Sequence, residues 1–292
     1  MKKLLLKIYS AICSLYQKKQ KHIRANIVKL SENELLLGRS ALITGGTSGI
    51  GFAVADAFLN AGAEAVVITG RSEERCIDAA NKLNSIKRIH NGKAFYQVLD
   101  VKAVDTFEEN LKKILDKIEG RQISILCNNA GVQGAQFGKA TVAEYDNVME
   151  TNYKGAFFLS QLVAKYMIEN KIEGNIINIA SSSSLRPTNS AYSLSKACIK
   201  EFTAGLSKFL IPYGIVVNGV APGPTATPLM NKNEDSTIEH PTNPSGRYAL
   251  PDEIGNMVVV LCSGIGRMIV GDIVYMTGGA GITTFDDSRY IF

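Results

Sequence analysis

A chain of 292 residues that is 46% hydrophobic and 20% charged can bury one large core, and α/β domains of about 250 residues routinely stay undivided. Much of the formal charge of +5 comes from the first two dozen residues (Lys2, Lys3, Lys7, Lys18, Lys19, Lys21, Arg24), so nothing calls for a nucleic-acid partner. Five scattered cysteines without a CxxC pair and three histidines without ligand spacing speak against a disulfide framework and against any metal site, and a reducing cytoplasm fits best.

The opening stretch MKKLLLKIYSAICSLYQKKQKH has the look of a signal peptide, but Lys7 interrupts its apolar run and no small-x-small cleavage site precedes the basic cluster. It is also too short and too charged to span a bilayer. Leu4, Leu5, Ile8, Ile12 and Leu15 recur at helical spacing, so residues 1–37 are expected to form an N-terminal amphipathic helical extension packed on its own domain or on a neighbouring subunit. The alternative is a basic amphipathic helix making weak contact with an anionic membrane surface through residues 1–24.

Residues 38–292 read as one domain. From Ser40 onward, seven short apolar runs (ALITG, AVVITG, AFYQVLD, ISILCNNAG, NIINIAS, IVVNGVAPG, DIVYMTGG) alternate with longer amphipathic segments. Runs without polar alternation suit strands buried on both faces, and helical segments between them indicate βαβ units. The expectation is an α/β doubly wound Rossmann fold with a seven-stranded parallel sheet flanked by helices. Only Met230 to Tyr248, polar and proline-bearing, lacks periodicity, which suggests a mobile loop.

In such a sheet the first strand-to-helix turn receives a pyrophosphate on a helix N-terminus and must be glycine-rich. TGGTSGIG supplies Gly45 for the tight turn, Gly49 for close approach to the phosphates and Gly51 for helix-on-strand packing, with Thr47, Ser48 and Ile50 between them. No Gly-Lys-Ser/Thr follows, which excludes a nucleoside triphosphate loop. At the end of the second strand, where a carboxylate would bind the adenine ribose hydroxyls, stand Gly70 and Arg71. A guanidinium pairs with a 2′-phosphate that a carboxylate would repel, so the cofactor expected is NADP(H), with NAD(H) second.

Further along, AYSLSKACIKEF places Tyr192 and Lys196 four residues apart, on one helix face. A free tyrosine titrates near pH 10, and a neighbouring ammonium would lower that enough to make it a usable acid or base. Eleven residues earlier the fifth strand ends in NIASSSS, whose hydroxyls can bond a substrate oxygen on which charge develops.

With TGxxxGxG at Thr44 to Gly51, NNAG at Asn128 to Gly131, a serine ahead of YxxxK, and PGPTAT at Pro222 to Thr227, the chain from about Gly38 to Gly281 resembles the short-chain dehydrogenase/reductase family. The resemblance implies a catalytic tetrad of Asn152, holding a proton-relay water, Ser181, Tyr192 as general acid/base, and Lys196, which lowers the tyrosine pKa and binds the nicotinamide ribose. The spacing from serine to tyrosine is about two residues shorter than usual in the family, so Ser182 or a neighbour stays open as the alternative to Ser181. Asp100 and Val101 would contact the adenine; Asn129, Ala130 and Gly131 would line the ribose; Pro222, Gly223, Thr225 and Thr227 would border the nicotinamide and phosphates. Thr277 departs from the family, many of whose members carry aspartate there.

The activity implied is NADP-dependent interconversion of a carbonyl and an alcohol, on a 3-oxoacyl thioester first. The alternatives are a sugar or other small carbonyl compound, within an envelope pathway, or a catalytically silent dinucleotide-binding member. The family also implies a homotetramer, or a homodimer, built through the long helices. AFFLSQLVAKYMI, Ala156 to Ile168, agrees by carrying more apolar residues than one core-facing stripe requires.

Overall fold

The computed structural model describes residues 32–232 and 236–281. The expected N-terminal amphipathic helix lies outside these. Strands and helices alternate: β1 (Ser40–Thr44), α1 (Gly49–Asn60), β2 (Ala65–Gly70), α2 (Glu73–Ser85), β3 (Lys93–Val98), α3 (Phe107–Lys117), β4 (Ile125–Asn128), α4 (Val142–Met149), α5 (Gly155–Glu169), β5 (Asn175–Ile179), α6 (Ala191–Leu210), β6 (Val216–Pro222), α7 (Pro251–Cys262) and β7 (Ile273–Met276). The seven strands form one parallel sheet in the order β3-β2-β1-β4-β5-β6-β7. This is the doubly wound Rossmann arrangement that the alternating apolar runs imply.

Successive residues of a strand point to opposite faces, and here both faces are covered. Ile43, Val66 and Ile68 pack with Val54 and Phe58 of α1 and Ile254 and Val258 of α7. Their chain neighbours Leu42 and Val67 pack on the other side with Ile114 of α3 and Leu159 and Val163 of α5. Core packing begins ahead of Gly38: Leu36 is fully buried in the first of these clusters, and its N–H donates to Ala61 O at 2.8 Å.

Two local features shape the site. Between α4 and α5 the helix widens into a five-residue π turn, Glu150–Lys154, an insertion of the kind found at functional positions. The Met230 to Tyr248 stretch, expected as a mobile loop, folds back on itself where it is described. Glu239 bridges Arg247 antiparallel, His240 N–H donates to Gly246 O (2.9 Å) and Tyr248 N–H to Ile238 O (2.8 Å). The rings of His240 and Tyr248 lie 4.5 Å apart, with Lys232 Nζ 4.9 Å from the Tyr248 centroid. Period-based reading missed this hairpin because its registry rests on polar backbone pairing and ring contacts.

Candidate active site

The chain reverses direction of travel between β1 and β4, and ligands of open α/β sheets sit at such a switch point, beyond the carboxyl ends of the strands. There a cleft of about 510 Å³ opens, within the range of small-molecule sites. Its floor is tied across the switch point. Asn129 Nδ2 donates to Thr44 O (2.9 Å) and Gly45 O (3.0 Å), while Thr44 Oγ1 accepts the N–H groups of Asn129 (3.0 Å) and Ala130 (3.1 Å). Gly45 has φ +65°, and a Cβ on it would stand 2.9 Å from Ala130 Cα, so only glycine lets the turn lie against the β4 loop.

Gly45, Thr47, Ser48, Gly49 and Ile50 line the cleft. Gly51, grouped with the cofactor turn, does not line the cleft: a Cβ there would strike the Asn129 side chain and the Gly45 carbonyl, so it serves the close helix packing expected of it. Ser48 is the N-cap of α1 but makes no side-chain cap, so that hydroxyl leaves the first-turn N–H groups open to the cleft, as an anion would require.

At the end of β2, Arg71 lines the cleft as expected, together with Gly70, Ser72 and Arg75. Ser72 Oγ caps α2 by accepting the Arg75 N–H (3.4 Å), and Arg75 Nη2 reaches across to Ser48 Oγ at 3.3 Å. Sequence reasoning missed Arg75, although RSEER carried the signal: a helix capped by Ser72 puts Arg75 in its first turn. Glu73 and Glu74 share that turn and do not line the cleft. Asp100, whose Oδ1 accepts the Lys102 N–H (3.0 Å), and Val101 border the same end.

Toward the other end the lining passes through Asn129, Ala130 and Gly131 to Pro222, Gly223, Thr225 and Thr227. Thr225 Oγ1 donates to Gly223 O (3.0 Å) and Thr227 Oγ1 to Thr225 O (3.4 Å), so both hydroxyls stiffen their own loop. Gly223 lies against Thr277, which is buried. Gln133, Leu229 and Met230 also line the cleft; the Gln133 Nε2 to Met230 Sδ contact of 3.5 Å joins the loops after β4 and β6. None of the three belongs to a short motif, so spacing could not single them out.

Ser181, Tyr192 and Lys196 meet at this end. The loop before α6 is fixed by Ser190, which caps it by accepting the Ser193 N–H (3.2 Å), and by the Ala191 N–H donating to Ala135 O (2.9 Å). Of the four serines from 181 to 184, Ser181 alone lines the cleft beside Tyr192, and it offsets part of the rise that burial imposes on the phenol. Ser184 Oγ instead donates to Ser181 O (2.7 Å), and the Ser183 N–H donates to Ser181 Oγ (3.2 Å).

The electrostatics differ from expectation. Lys196 Nζ donates to Ile179 O at 2.7 Å, and burial brings its pKa down to about 8. Burial likewise pushes the Tyr192 phenol above its usual value, and Ser181, not Lys196, opposes that rise. The Lys196 ammonium is directed to the β5 carbonyl of Ile179.

Asn152 does not line the cleft. It is 2% exposed within the π turn, and its amide is committed: Oδ1 accepts the Val132 N–H (2.8 Å), and Nδ2 donates to Val132 O (2.9 Å) and Ser195 Oγ (3.0 Å). Its side chain is therefore engaged with protein groups, where a water-holding role was expected of the residue.

A glycine cradle beside an open helix N-terminus, a pair of arginines at the end of β2 and a serine-tyrosine-lysine group at the far end decide the family. The sequence matches the short chain dehydrogenase family model over residues 39–237. The chain belongs to that family. Its relatives include the 3-oxoacyl-(acyl-carrier-protein) reductase FabG of Aquifex aeolicus, 32% identical over 84% of this chain and 98% of that protein. The gluconate 5-dehydrogenase of Gluconobacter oxydans is 30% identical over 85% of this chain and 96% of that protein. Among solved structures, a gluconate 5-dehydrogenase from Burkholderia cenocepacia in complex with NADP and tartrate superposes with a TM-score of 0.75 at 30% identity, covering 85% of this chain and 97% of that one. Such relatives make the chain an NAD(P)-dependent oxidoreductase acting on alcohol and ketone groups.

Proposed function

We propose that this oxidoreductase is NADP-dependent and reduces the keto group of a 3-oxoacyl thioester. The observation that carries the cofactor preference is the pair Arg71 and Arg75 lining the cleft beside the capped start of α2, two guanidiniums where a 2′-phosphate would sit. The cleft fits a dinucleotide: the open start of α1 faces the pyrophosphate position, and Gly45 brings the backbone close to it. The bound cofactor supplies the hydride. Ser181 and Tyr192 would bond the substrate carbonyl oxygen, Tyr192 would give that oxygen its proton as negative charge develops, and Lys196 would hold the nicotinamide ribose. Asn152 supports the group from the π turn.

The acyl reading is supported by the apolar Leu229 and Met230 at the substrate end and by likeness to the Aquifex reductase. A keto-sugar acid is the second reading, favoured by Gln133 at the same rim and by likeness to the gluconate dehydrogenases. NADPH consumption followed at the nicotinamide absorbance with each compound separates them; turnover of the 3-oxoacyl thioester alone supports the first, and of the keto-gluconate alone the second.

The protein is further read as a cytoplasmic homotetramer, with a dimer as the alternative. Supporting assembly, α5 and α6 leave an open apolar groove of about 390 Å³ containing Phe157, Phe202, Leu206 and Phe209, the last 69% exposed. Closed symmetric pairing of such faces is the usual outcome.

A further inference from the structure

Among the described residues, one buried hydroxyl touches two members of the proposed catalytic group without reaching the cleft. Ser195 is fully buried on α6, one residue before Lys196. Its Oγ donates to Tyr192 O at 2.7 Å and accepts from Asn152 Nδ2 at 3.0 Å. A hydroxyl has one proton. With that proton given to the Tyr192 carbonyl, Ser195 can only accept from Asn152.

The chain of bonds continues on the far side, where the Asn152 amide clasps both backbone groups of Val132 at 2.8 and 2.9 Å. Gly131, Asn152 and Lys196 converge there: a Cβ on Gly131 would stand 3.5 Å from Asn152 Oδ1 and 3.6 Å from Lys196 Nζ. Three segments far apart in sequence, the loop after β4, the π turn and the first turns of α6, are therefore joined through two side chains.

We propose that Ser195 is a positioning residue for the reaction, acting through Asn152. It holds the start of α6, and with it the Tyr192 phenol, in register with the π turn and the β4 loop. This rests on the reading of Tyr192 as proton donor. The inference goes beyond that reading because Ser195 touches neither the cleft nor the phenol, only the Tyr192 backbone carbonyl. A buried two-bond hydroxyl of this kind is costly to remove, since its partners are left unsatisfied.

The test is a double-mutant cycle on the full chain, measured as single-turnover NADPH oxidation with whichever of the 3-oxoacyl thioester and keto-gluconate the wild type turns over faster, and as NADPH binding by nicotinamide fluorescence. Ser195→Ala is expected to slow the single-turnover rate about tenfold while NADPH binding changes by less than about twofold. In an Asn152→Ala background, the same change is expected to slow the rate by less than about twofold. Equal slowing in both backgrounds, or no slowing in the first, overturns the proposal. If Ser195→Ala does not fold, Ser195→Cys, close in volume and a weaker donor, must show the same dependence on Asn152. Tyr192→Phe separates the underlying reading: retained turnover there removes the tyrosine as donor, whereas its loss together with an additive Ser195 effect removes only the positioning role.

Discussion

The two ends of the cleft are built on different principles. The cofactor end is made of strand termini and tight turns whose backbones leave no choice: Gly45 must adopt φ +65° under Ala130, and Asn129 is bonded to Thr44 and Gly45 across the switch point. The substrate end is rimmed by Gln133, Leu229 and Met230, and the hairpin that follows Met230, outside the cleft lining, is attached at its tip and at its stem. At the tip Asn243 Nδ2 donates to Thr277 O (3.1 Å) and the Ser245 N–H to Gly278 O (3.0 Å); at the stem Arg247 forms a bidentate pair with Glu253 at 2.8 and 2.7 Å. A floor so constrained leaves little room for change, while a surface hairpin next to the Leu229–Met230 rim can vary and bias which carbonyl compound enters.

That contrast breaks most sharply at the reacting residues. Tyr192→Phe is expected to lower the turnover rate by about 10²–10⁴, with NADPH binding nearly intact, because the ring remains and the transferable proton is lost. Ser181→Ala should follow with a smaller fall, and Ser182→Ala with almost none, since of the two only Ser181 lines the cleft with Tyr192. Steady-state kinetics on the three variants checks the order; a larger loss at Ser182 would contradict the geometry.

At the hairpin the effect should move from kcat to KM. Asn243→Ala removes the tip anchor to Thr277 and is expected to raise KM for the carbonyl substrate several-fold, while NADPH binding, read by fluorescence, stays level. Equal loss of both would mean that hairpin and floor act as one body.

The smallest effect belongs to the stem. Arg247 and the Leu250 N–H hold Glu253 at a pKa of about 2, below an ordinary glutamate. A depressed folded-state pKa gives stability that is present above about pH 4.3 and lost as pH falls toward 2. Both side chains are about two-fifths exposed, at 42% and 39%, so Arg247→Ala should lower stability only slightly at neutral pH. Denaturant unfolding at pH 7 and pH 3 checks both the size and the expected narrowing of the difference in acid.

The same division governs what the sequence reveals. The seven strands, the glycine turn, Arg71 and the Tyr192–Lys196 spacing are legible because each obeys a local rule of period, φ or helix geometry. Arg75 needs the cap at Ser72 to be placed first. The hairpin escapes because its registry comes from bridges such as Glu239 to Arg247 and from the Asn243 anchor 34 residues away from Thr277. The direction of the Lys196 ammonium toward Ile179 O, and the commitment of the Asn152 amide to Val132 and Ser195, are tertiary facts that no spacing encodes.

The central claim is that the end of β2 selects the phosphorylated cofactor, and fluorescence titration of the wild type and of Arg71→Ala/Arg75→Ala with NADPH and NADH tests it most directly. Each charge-assisted bond to a phosphate contributes roughly 1.5–3 kcal/mol. The account predicts tighter binding of NADPH than NADH by the wild type, and a loss of NADPH affinity of at least about tenfold in the variant with NADH almost unchanged. Equal losses for both cofactors, or a wild type that prefers NADH, would contradict it.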